Sequence, residues 1–358
     1  MPSGLYNVAL EHRVTAWQRC HVSVSRFQQE AELKAIRTEF PEYASVHSHV
    51  LQDVLARLDR TYQAFFRRVQ RGETAGFPRF KGRDRYHSFT YKEYSNGARL
   101  DNGFLVLSKI GRIAVRWSRP LEGTPKTVTV THEADGWYVT FSCAEVPIKA
   151  LPLSDEETGI DLGLESFATL ADGSQIANPR IFRVAERNLK RAQRRVSRRQ
   201  HGSRRRRKAV RLLARAHQRV RRARADFHHK MALALVRQYA TLSHAALQPA
   251  NMVKNHSLAK SISDAGWSGF LSILSFKAVE AGKTVIAVPA AFTSQACSGC
   301  GVIVQKALSV RWHLCPVCGM SLHRDHNAAI NILRLGTAQS GLGQSPQAST
   351  WPVGASVA

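Results

Sequence analysis

Residues 293–333 read TSQACSGCGVIVQKALSVRWHLCPVCGMSLHRDHNAAINIL, and this stretch decides the architecture of the C-terminal part of the chain. It holds two Cys-x-x-Cys pairs that are separated by fourteen residues. Two such pairs supply four soft ligands for one tetrahedral zinc ion, and a site saturated by four thiolates serves folding rather than chemistry. We therefore predict a structural zinc ribbon over residues 293–320, with the ligands Cys297, Cys300, Cys315 and Cys318.

Two aspartates accompany the ribbon. Asp161 lies in Gly159-Ile-Asp-Leu-Gly163 at the start of a predicted strand, and Asp325 lies in His323-Arg-Asp-His-Asn just before a predicted helix. Each has an ordinary structural interpretation when taken alone, as a turn residue or as a helix N-cap. The order of the strand motif, the ribbon and the helix motif is far more specific than any one of the three.

The charge of the chain favours a polyanionic partner. Lys and Arg number 52 against 26 Asp and Glu, which gives a net charge of +26 over 358 residues. No run of about 18 uncharged apolar residues is present, so we expect no membrane span, and we see no secretory signal. A chain with so large a net positive charge is expected to bind nucleic acid. We expect a bacterial cytoplasmic protein that associates with the nucleoid.

The basic charge is concentrated in one segment. Eighteen Lys or Arg and no acidic residue lie between Arg187 and Arg224, and Gly202-Ser203 divides this segment into two predicted helices. A charge run is commonly a solvated helix face. Without acidic partners at helical spacing, however, these charges repel each other, and phosphate would relieve that repulsion. The predicted nucleic-acid contacts are Arg191, Arg194, Arg195, Arg198, Arg204, Arg205, Lys208 and Arg211.

The remaining periodicity predicts an α+β chain with several domains. Apolar residues recur at helical spacing from His47 to Val69. Residues 127–141 form a hairpin signature around Asp135-Gly136, which suggests a small β-barrel or a curled sheet. A second hairpin is expected from Gly159 with its turn at Asp172-Gly173, and a strand is expected at Thr284 to Val288.

Together, these motifs resemble the TnpB family of transposon-encoded RNA-guided DNA nucleases. The resemblance extends from about residue 5 to about residue 335, and residues 251–262 and 293–300 also match. It implies a helical recognition region, a β-barrel wedge region and a RuvC nuclease domain of the RNase H-like fold into which the zinc ribbon is inserted. The implied domains are 1–75 (recognition), 76–150 (wedge), 151–292 (nuclease, with basic helices 183–238), 293–320 (ribbon), 321–336 (end of the nuclease domain) and 337–358 (disordered tail).

The resemblance also implies partners and a cofactor. Family members bind an RNA transcribed from the transposon end, pair it with target DNA and cut that DNA with Mg²⁺. Base pairing then reads the sequence, while the protein reads shape and backbone. The first and last of the family's three catalytic acids match Asp161 and Asp325.

The middle catalytic acid is absent from its expected place. Residues 244–248 read His-Ala-Ala-Leu-Gln, and the family's glutamate position is Ala245. Three interpretations follow: a nuclease-dead RNA-guided repressor, an inactive transposon remnant or deliberately inactivated protein, or an endonuclease whose site is completed by another acid. Glu280 is the candidate for that acid, since some family members use a relocated glutamate in this region, although a surface glutamate near a helix end is the plainer interpretation.

A second departure lies at the N-terminus. Family members open with a short strand, whereas this sequence starts inside the first predicted helix, at Leu5-Tyr-Asn-Val-Ala-Leu10. A barrel edge without that strand would stay unpaired. We therefore expect either a truncated sequence or a misassigned start codon.

Overall fold

The computed structural model describes residues 2–82, 85–147, 151–307 and 309–341. The chain divides into two compact units, Met1–Pro147 and Ile148–Ala358. Among the described residues, none of the helices combines the length and the apolar character that crossing a bilayer would need.

The first unit begins with four helices. Their bounds are α1 Pro2–Cys20, α2 Arg26–Glu39, α3 Pro41–Ala44 and α4 Ser48–Gln70. The predicted helix from His47 to Val69 is therefore confirmed. Helix α2 starts where it does because Ser25 and Gln28 form a capping box. The helices enclose a core that includes Tyr6, Leu10 and, along α4, Leu51, Val54, Leu55 and Leu58.

The rest of the first unit is two three-stranded antiparallel sheets. Their strands are β1 Ser88–Tyr91, β2 Ala98–Asp101, β3 Phe104–Leu107, β4 Gly111–Ala114, β5 Thr124–His132 and β6 Trp137–Ala144. The strand orders are β1-β5-β6 and β2-β3-β4. The predicted hairpin around Asp135-Gly136 is confirmed, with His132 opposite Trp137. The expected barrel or curled sheet takes the form of two sheets with a common core around Tyr91 and Val128.

A five-stranded mixed sheet forms the centre of the second unit. Its strands are β7 Glu157–Leu162, β8 Ser166–Leu170, β9 Gln175–Ala177, β10 Thr241–Ala245 and β11 Thr284–Val288. The order is β11-β10-β7-β8-β9; β7, β10 and β11 run parallel, while β8 and β9 run antiparallel. The predicted strand at Thr284 to Val288 is confirmed. The predicted hairpin needs a correction, because β7 first turns at residues 163–165 and Asp172-Gly173 then joins β8 to β9.

Helices flank this sheet, and a small ribbon adjoins it. The helices are α5 Ile181–Ser197, α6 Arg204–Gln238, α7 Pro249–Met252, α8 His256–Ala265, α9 Trp267–Glu280 and α10 Arg324–Gly341. A two-stranded sheet pairs β12 Trp312–Leu314 with β13 Ser321–His323. Helix α10 extends five residues beyond the domain end expected at 336, and residues 342–358 of the expected tail lie outside the described part of the chain.

Two glycines allow α10 to lie directly on the sheet. A Cβ on Gly159 of β7 would collide with the carbonyl oxygen of Ala329 and would approach the amide nitrogen of Leu333 to 2.5 Å. A Cβ on Gly336 would collide with the Ser243 side chain of β10. Gly159 and Ser243 are paired in register, so α10 crosses the same face of both strands. The first turn of α10 is thereby held beside the carboxyl end of β7.

Candidate metal centre and nucleic-acid interface

The four predicted cysteines converge. Their sulfur atoms all lie within 4.8 Å of one another, and the pairs Cys297–Cys318 and Cys300–Cys315 are each 3.5 Å apart. Four thiolates at about 2.3 Å from one zinc ion are separated by about 3.8 Å, so the donor set and its spacing fit tetrahedral zinc. Cys297 and Cys315 are buried, while Cys300 and Cys318 are exposed.

The two knuckles share one backbone geometry. The amide of Gly301 donates to the Cys297 carbonyl, as that of Gly319 does to the Cys315 carbonyl, and both glycines have positive φ. A side chain there would be strained. Backbone N–H groups of residues 317 and 318 donate to the Cys315 thiolate and lower its pKa to about 6. A ligand that ionises readily is suited to a cation.

Helix α10 holds the first knuckle in place. Asn327 accepts a hydrogen bond from the Ser298 amide at 2.9 Å and donates to the Ala296 carbonyl at 2.7 Å. Asn331, one turn later, donates to the same carbonyl and to that of Thr293. Both asparagines are buried, so these bonds satisfy side chains that would otherwise be costly to enclose. The spacing of the two asparagines by one helical turn is the only sequence signal of this role.

Asp161 and Asp325 lie together at the carboxyl end of β7. The Asp325 carboxylate is placed there by α10, and a Cβ on Gly163 would lie 3.7 Å from its Oδ2 atom. Burial, and then the neighbouring Asp325 carboxylate, raise the pKa of Asp161 to about 7, against an opposing effect of Arg324. The Asp161 carboxylate, whose ionisation is disfavoured by burial and by the neighbouring acid, would be stabilised by a divalent cation.

An arginine from the ribbon already approaches these acids. Arg311 Nε lies 3.3 Å from Glu165 Oε2, and its Nη1 lies 3.9 Å from Asp325 Oδ1. Glu165 sits in the turn between β7 and β8, and both side chains are about half exposed. Sequence reasoning missed Arg311 and Glu165, because their proximity depends on how the ribbon meets the sheet.

Ala245 occupies the place where a third carboxylate would join the pair. His244 is paired with Ile160, so the next residues, Ala245 and Asp161, lie level on the parallel strands β10 and β7. Side chains alternate along strands, so both residues share the face that α10 covers. Ala245 packs there against Val288 and Ile332 in a small apolar cluster. Across residues 2–82, 85–147, 151–307 and 309–341, the four cysteines are the one group of three or more metal-ligating side chains.

The structure does not bring Glu280 to the acid pair. Glu280 is exposed at the last residue of α9, just before β11 begins at Thr284. Thr284 pairs with Thr241, which in turn pairs with Glu157, at the amino ends of the three parallel strands. Asp161 lies four residues further along β7, or roughly 13 Å at the usual rise of a strand. The prediction that Glu280 completes the acid pair is therefore corrected, because the common direction of the parallel strands places Glu280 at the edge of the sheet opposite Asp161.

The predicted basic contacts line a helical hairpin. All eight residues are exposed; three lie near the end of α5, Arg198 follows directly after it, and four lie at the start of α6. A groove of about 930 Å³ follows α5 and is lined by eight basic side chains and Glu186, namely Arg183, Arg187, Lys190, Arg191, Arg194, Arg195, Arg198 and Arg199. Arg191, Arg194, Arg195 and Arg198 belong to this lining, which we call the α5 groove.

Polar contacts anchor the start and the end of α5. Asp264 accepts from the Phe182 amide at 2.7 Å and approaches Arg224 of α6, so it takes the role of the missing N-cap. Arg206 donates to the carbonyls of Val196 and Arg199 at the other end of α5. The hairpin therefore holds its exposed arginines on a fixed backbone.

Comparisons with known proteins agree with these features. Residues 131–256 match the OrfB_IS605 family model, described as "Probable transposase". Residues 267–332 match the Cas12f1-like TNB domain. The second match contains all four cysteines and Asp325, and the first contains Asp161 and the basic hairpin.

Relatives extend the match over most of the chain. A candidate RNA-guided DNA endonuclease of Streptomyces pristinaespiralis is 38% identical over 95% of this chain and 84% of its own length. The candidate RNA-guided DNA endonuclease InsQ of Escherichia coli (strain K12) is 33% identical over 84% and 77%. A cryo-EM structure of a Cas12f1–sgRNA–target DNA complex matches the mixed α/β fold with a TM-score of 0.59 at 14% identity, over 92% of this chain and 80% of that one. On this evidence, the chain belongs to the TnpB family.

Proposed function

We propose that this protein is an RNA-guided DNA-targeting protein encoded by a transposon. The observation that carries the proposal is the pairing of Asp161 with Asp325 at one sheet edge, beside a ribbon that the Asp325 helix itself holds. The relatives described above carry the same activity in their descriptions. The guide would be an RNA transcribed from the transposon end, and the target would be DNA paired with that guide.

The elements correspond to domain roles in this proposal. Helices α1–α4 would form the recognition region within 1–75, and β1–β6 the wedge region within 76–150. The five-stranded sheet would be the RuvC core, in an RNase H-like order in which the β7-β8-β9 meander is joined by the parallel strands β10 and β11. The α5 groove would hold phosphates of the guide or of the guide–target duplex.

The acid pair suits one magnesium ion better than two. Carboxylate oxygens are the ligands that Mg²⁺ prefers, and Asp161 and Asp325 supply them at one point. A metal pair that stabilises charge around a scissile phosphate needs a third carboxylate, and Ala245 stands at that position. This one substitution favours a second candidate function: guided DNA binding with strongly reduced cleavage, as in a repressor.

Purification of the full chain from its native host, followed by sequencing of bound RNA, tests the guide. A plasmid that matches that RNA is then tested for binding and for Mg²⁺-dependent cleavage, with Asp161→Ala as the control. Cleavage that this change abolishes establishes the nuclease, and Glu165→Ala then tests whether Glu165 supplies a third acid. Binding without cleavage establishes the guided binder. A protein that recovers no specific RNA and shows no guided binding would contradict the proposal.

A further inference from the structure

Helix α4 of the first unit begins with a histidine cap. His47 precedes the helix in an extended conformation, and its Nδ1 atom accepts a hydrogen bond from the His49 amide at 3.3 Å. We call this bond the His47 cap. A backbone amide can only donate, so Nδ1 must carry a lone pair and the imidazole must be neutral. Serine or asparagine caps keep their acceptor in mild acid, whereas a histidine cap loses it when the ring binds a proton.

The His47 ring is confined by the turn that precedes β2. A Cβ on Gly97 would lie 2.6 Å from His47 Cε1 and 2.8 Å from Nε2, so the glycine backbone is packed against the imidazole. On another side, the His47 and Tyr91 rings lie 5.4 Å apart, and the buried Tyr91 is fixed by its hydroxyl, which donates to the Ser108 carbonyl. A protonated ring that stayed in this position would direct its Nδ1–H at the N–H of His49, and the two donors would repel each other.

The surroundings of His47 oppose a proton on its ring. Burial is the largest cause that lowers the pKa of His47 below 6.5, followed by His49 of α4, Arg37 of α2 and Lys109 of the turn between β3 and β4. The residue also lies at the N-terminus of α4, the positive end of the helix dipole. Every one of these effects disfavours an imidazolium at position 47.

His49, the second histidine of the cluster, faces a different set of charges. Its ring meets that of His47 edge to face at 4.7 Å between centroids, and its Nε2 lies 4.0 Å from Glu93 Oε2. Burial and Lys92 lower the pKa of His49, while Glu93 and the backbone of Asn96 raise it, and the net shift is downward. The carboxylate of this cluster therefore compensates His49, so the two histidines can be separated by substitution.

The first turn of α4 contributes to both cores of the first unit. Val50 packs with Tyr91 in the sheet core, whereas Leu51 and Val54 belong to the helical core. The first amides of a helix have no partner within the helix, so this turn depends on its cap. Loss of the His47 cap would therefore loosen the place where the helical core and the sheet core meet.

We propose that the His47 cap is a proton-sensitive switch in the first unit: the neutral ring holds the first turn of α4 against Gly97, and a proton on Nδ1 releases that turn. The inference goes beyond the proposed function, since the switch requires neither nucleic acid nor a metal. The pKa of His47 is lower in the folded chain than in the unfolded one. The stabilisation by the cap is therefore complete above about pH 6.5 and is lost as the pH falls through the folded value.

Hydrogen exchange of the full chain, followed by mass spectrometry of a peptide over residues 47–54, tests the switch locally. The parent is compared at equal pH with His47→Asn, because asparagine caps helices well and does not titrate. The measured quantity is the exchange rate of the parent divided by that of the variant. We expect this ratio to rise about fivefold between pH 7.5 and pH 5.5, as loss of one helix cap implies. His47→Ser, whose hydroxyl also caps at both pH values, should show the same rise.

Two further histidine variants locate the proton. His49→Asn and His21→Asn, the latter at an exposed histidine of the same unit, should exchange as fast as the parent at pH 5.5 and so keep its sensitivity to acid. A ratio that does not change with pH in the two His47 variants would reduce His47 to a packing role and overturn the proposal. Loss of the acid sensitivity in His49→Asn would also overturn it, since the proton would then act at His49.

Discussion

Gly159 and Ala329 are in backbone contact, so that a single added methyl group on Gly159 would collide with the Ala329 carbonyl oxygen. This contact sets how closely α10 approaches β7, and thus where Asp325 stands relative to Asp161. Gly159→Ala must push the helix away or distort the strand, and such overpacking costs about 1–3 kcal/mol or more. We expect a lower melting temperature together with weaker Mg²⁺ binding. Gly76→Ala is the control, since nothing lies within 4 Å of its added Cβ; equal melting temperatures for the two variants would refute this account of the contact.

Ala245→Glu should supply the missing carboxylate. Its position is level with Asp161 on the face covered by α10, so the new side chain would reach the same cation. We expect Mg²⁺-dependent cleavage of a matched plasmid to rise at least about tenfold, which corresponds to only 1.4 kcal/mol of barrier. Ala245→Gln has the same shape without the charge and should stay at the parent level. Identical rates for the two variants would show that a carboxylate at this place is irrelevant.

The pKa of Asp161 makes stability depend on pH. A carboxyl whose folded pKa is raised to about 7 stabilises the fold below its unfolded value, near 3.8, and this contribution is lost as the pH rises through 7. Asp161→Asn removes that loss. At pH 8 the free energy of unfolding of the variant should therefore exceed that of the parent, by at most about 4 kcal/mol, and at pH 4 the two values should be nearly equal. Melting temperatures without Mg²⁺ measure this, with the exposed Asp226→Asn as the control. A difference that does not change with pH would contradict the assignment.

Asn327→Ala should loosen the zinc ribbon. It removes the acceptor of the buried Ser298 amide and one of the two side-chain donors to the Ala296 carbonyl, and leaving that amide unpaired costs about 1–3 kcal/mol. We expect zinc transfer to a chromogenic chelator to become several-fold faster. Asn251→Ala removes an exposed hydrogen bond far from the ribbon and should release zinc at the parent rate. Unchanged release from the Asn327 variant would mean that α10 does not support the site.

Substitutions in the α5 groove should reduce the salt dependence of nucleic-acid binding. Arg191, Arg194, Arg195 and Arg198 each line the groove. If each contacts one phosphate, each change to Gln should lower the slope of log K against log salt by about 0.7–0.9. Lys230→Gln, on the exposed far part of α6, should leave the slope unchanged. Equal slopes for the groove variants and this control would place the nucleic acid elsewhere.

The features that depend on local spacing were predictable from sequence. The cysteine pairs, the Asp135-Gly136 hairpin, the helix of residues 48–70 and the strand Thr284–Val288 each follow from neighbouring residues, because turn chemistry and periodicity act within one element. The turn at residues 163–165 was missed for a related reason. Glycine-rich motifs next to strands suit several turns equally, and pairing with β8 decides among them.

The relations between distant elements were not predictable. Glu280 resembled a relocated ligand because it is close in sequence to a core strand, yet the parallel direction of that strand puts it at the wrong edge. Arg311 approaches Asp325 in the folded ribbon, where the Arg324 amide donates a hydrogen bond to the Arg311 carbonyl. Asn327 supports the ribbon through hydrogen bonds with Ser298 and Ala296, which lie 29 and 31 residues earlier in the chain.

Asp325 and Asn327 share the first turn of α10, one facing the sheet edge and the other the zinc knuckle. The zinc knuckle and the acid pair are thus linked through three residues of one helical turn. Loss of zinc would release residues 296–298, which are hydrogen-bonded to Asn327. The first turn of α10, which positions Asp325, would lose this support. In a cell short of zinc, the protein would keep an intact α5 groove but would have a displaced carboxylate pair. It would then bind nucleic acid without cleaving it.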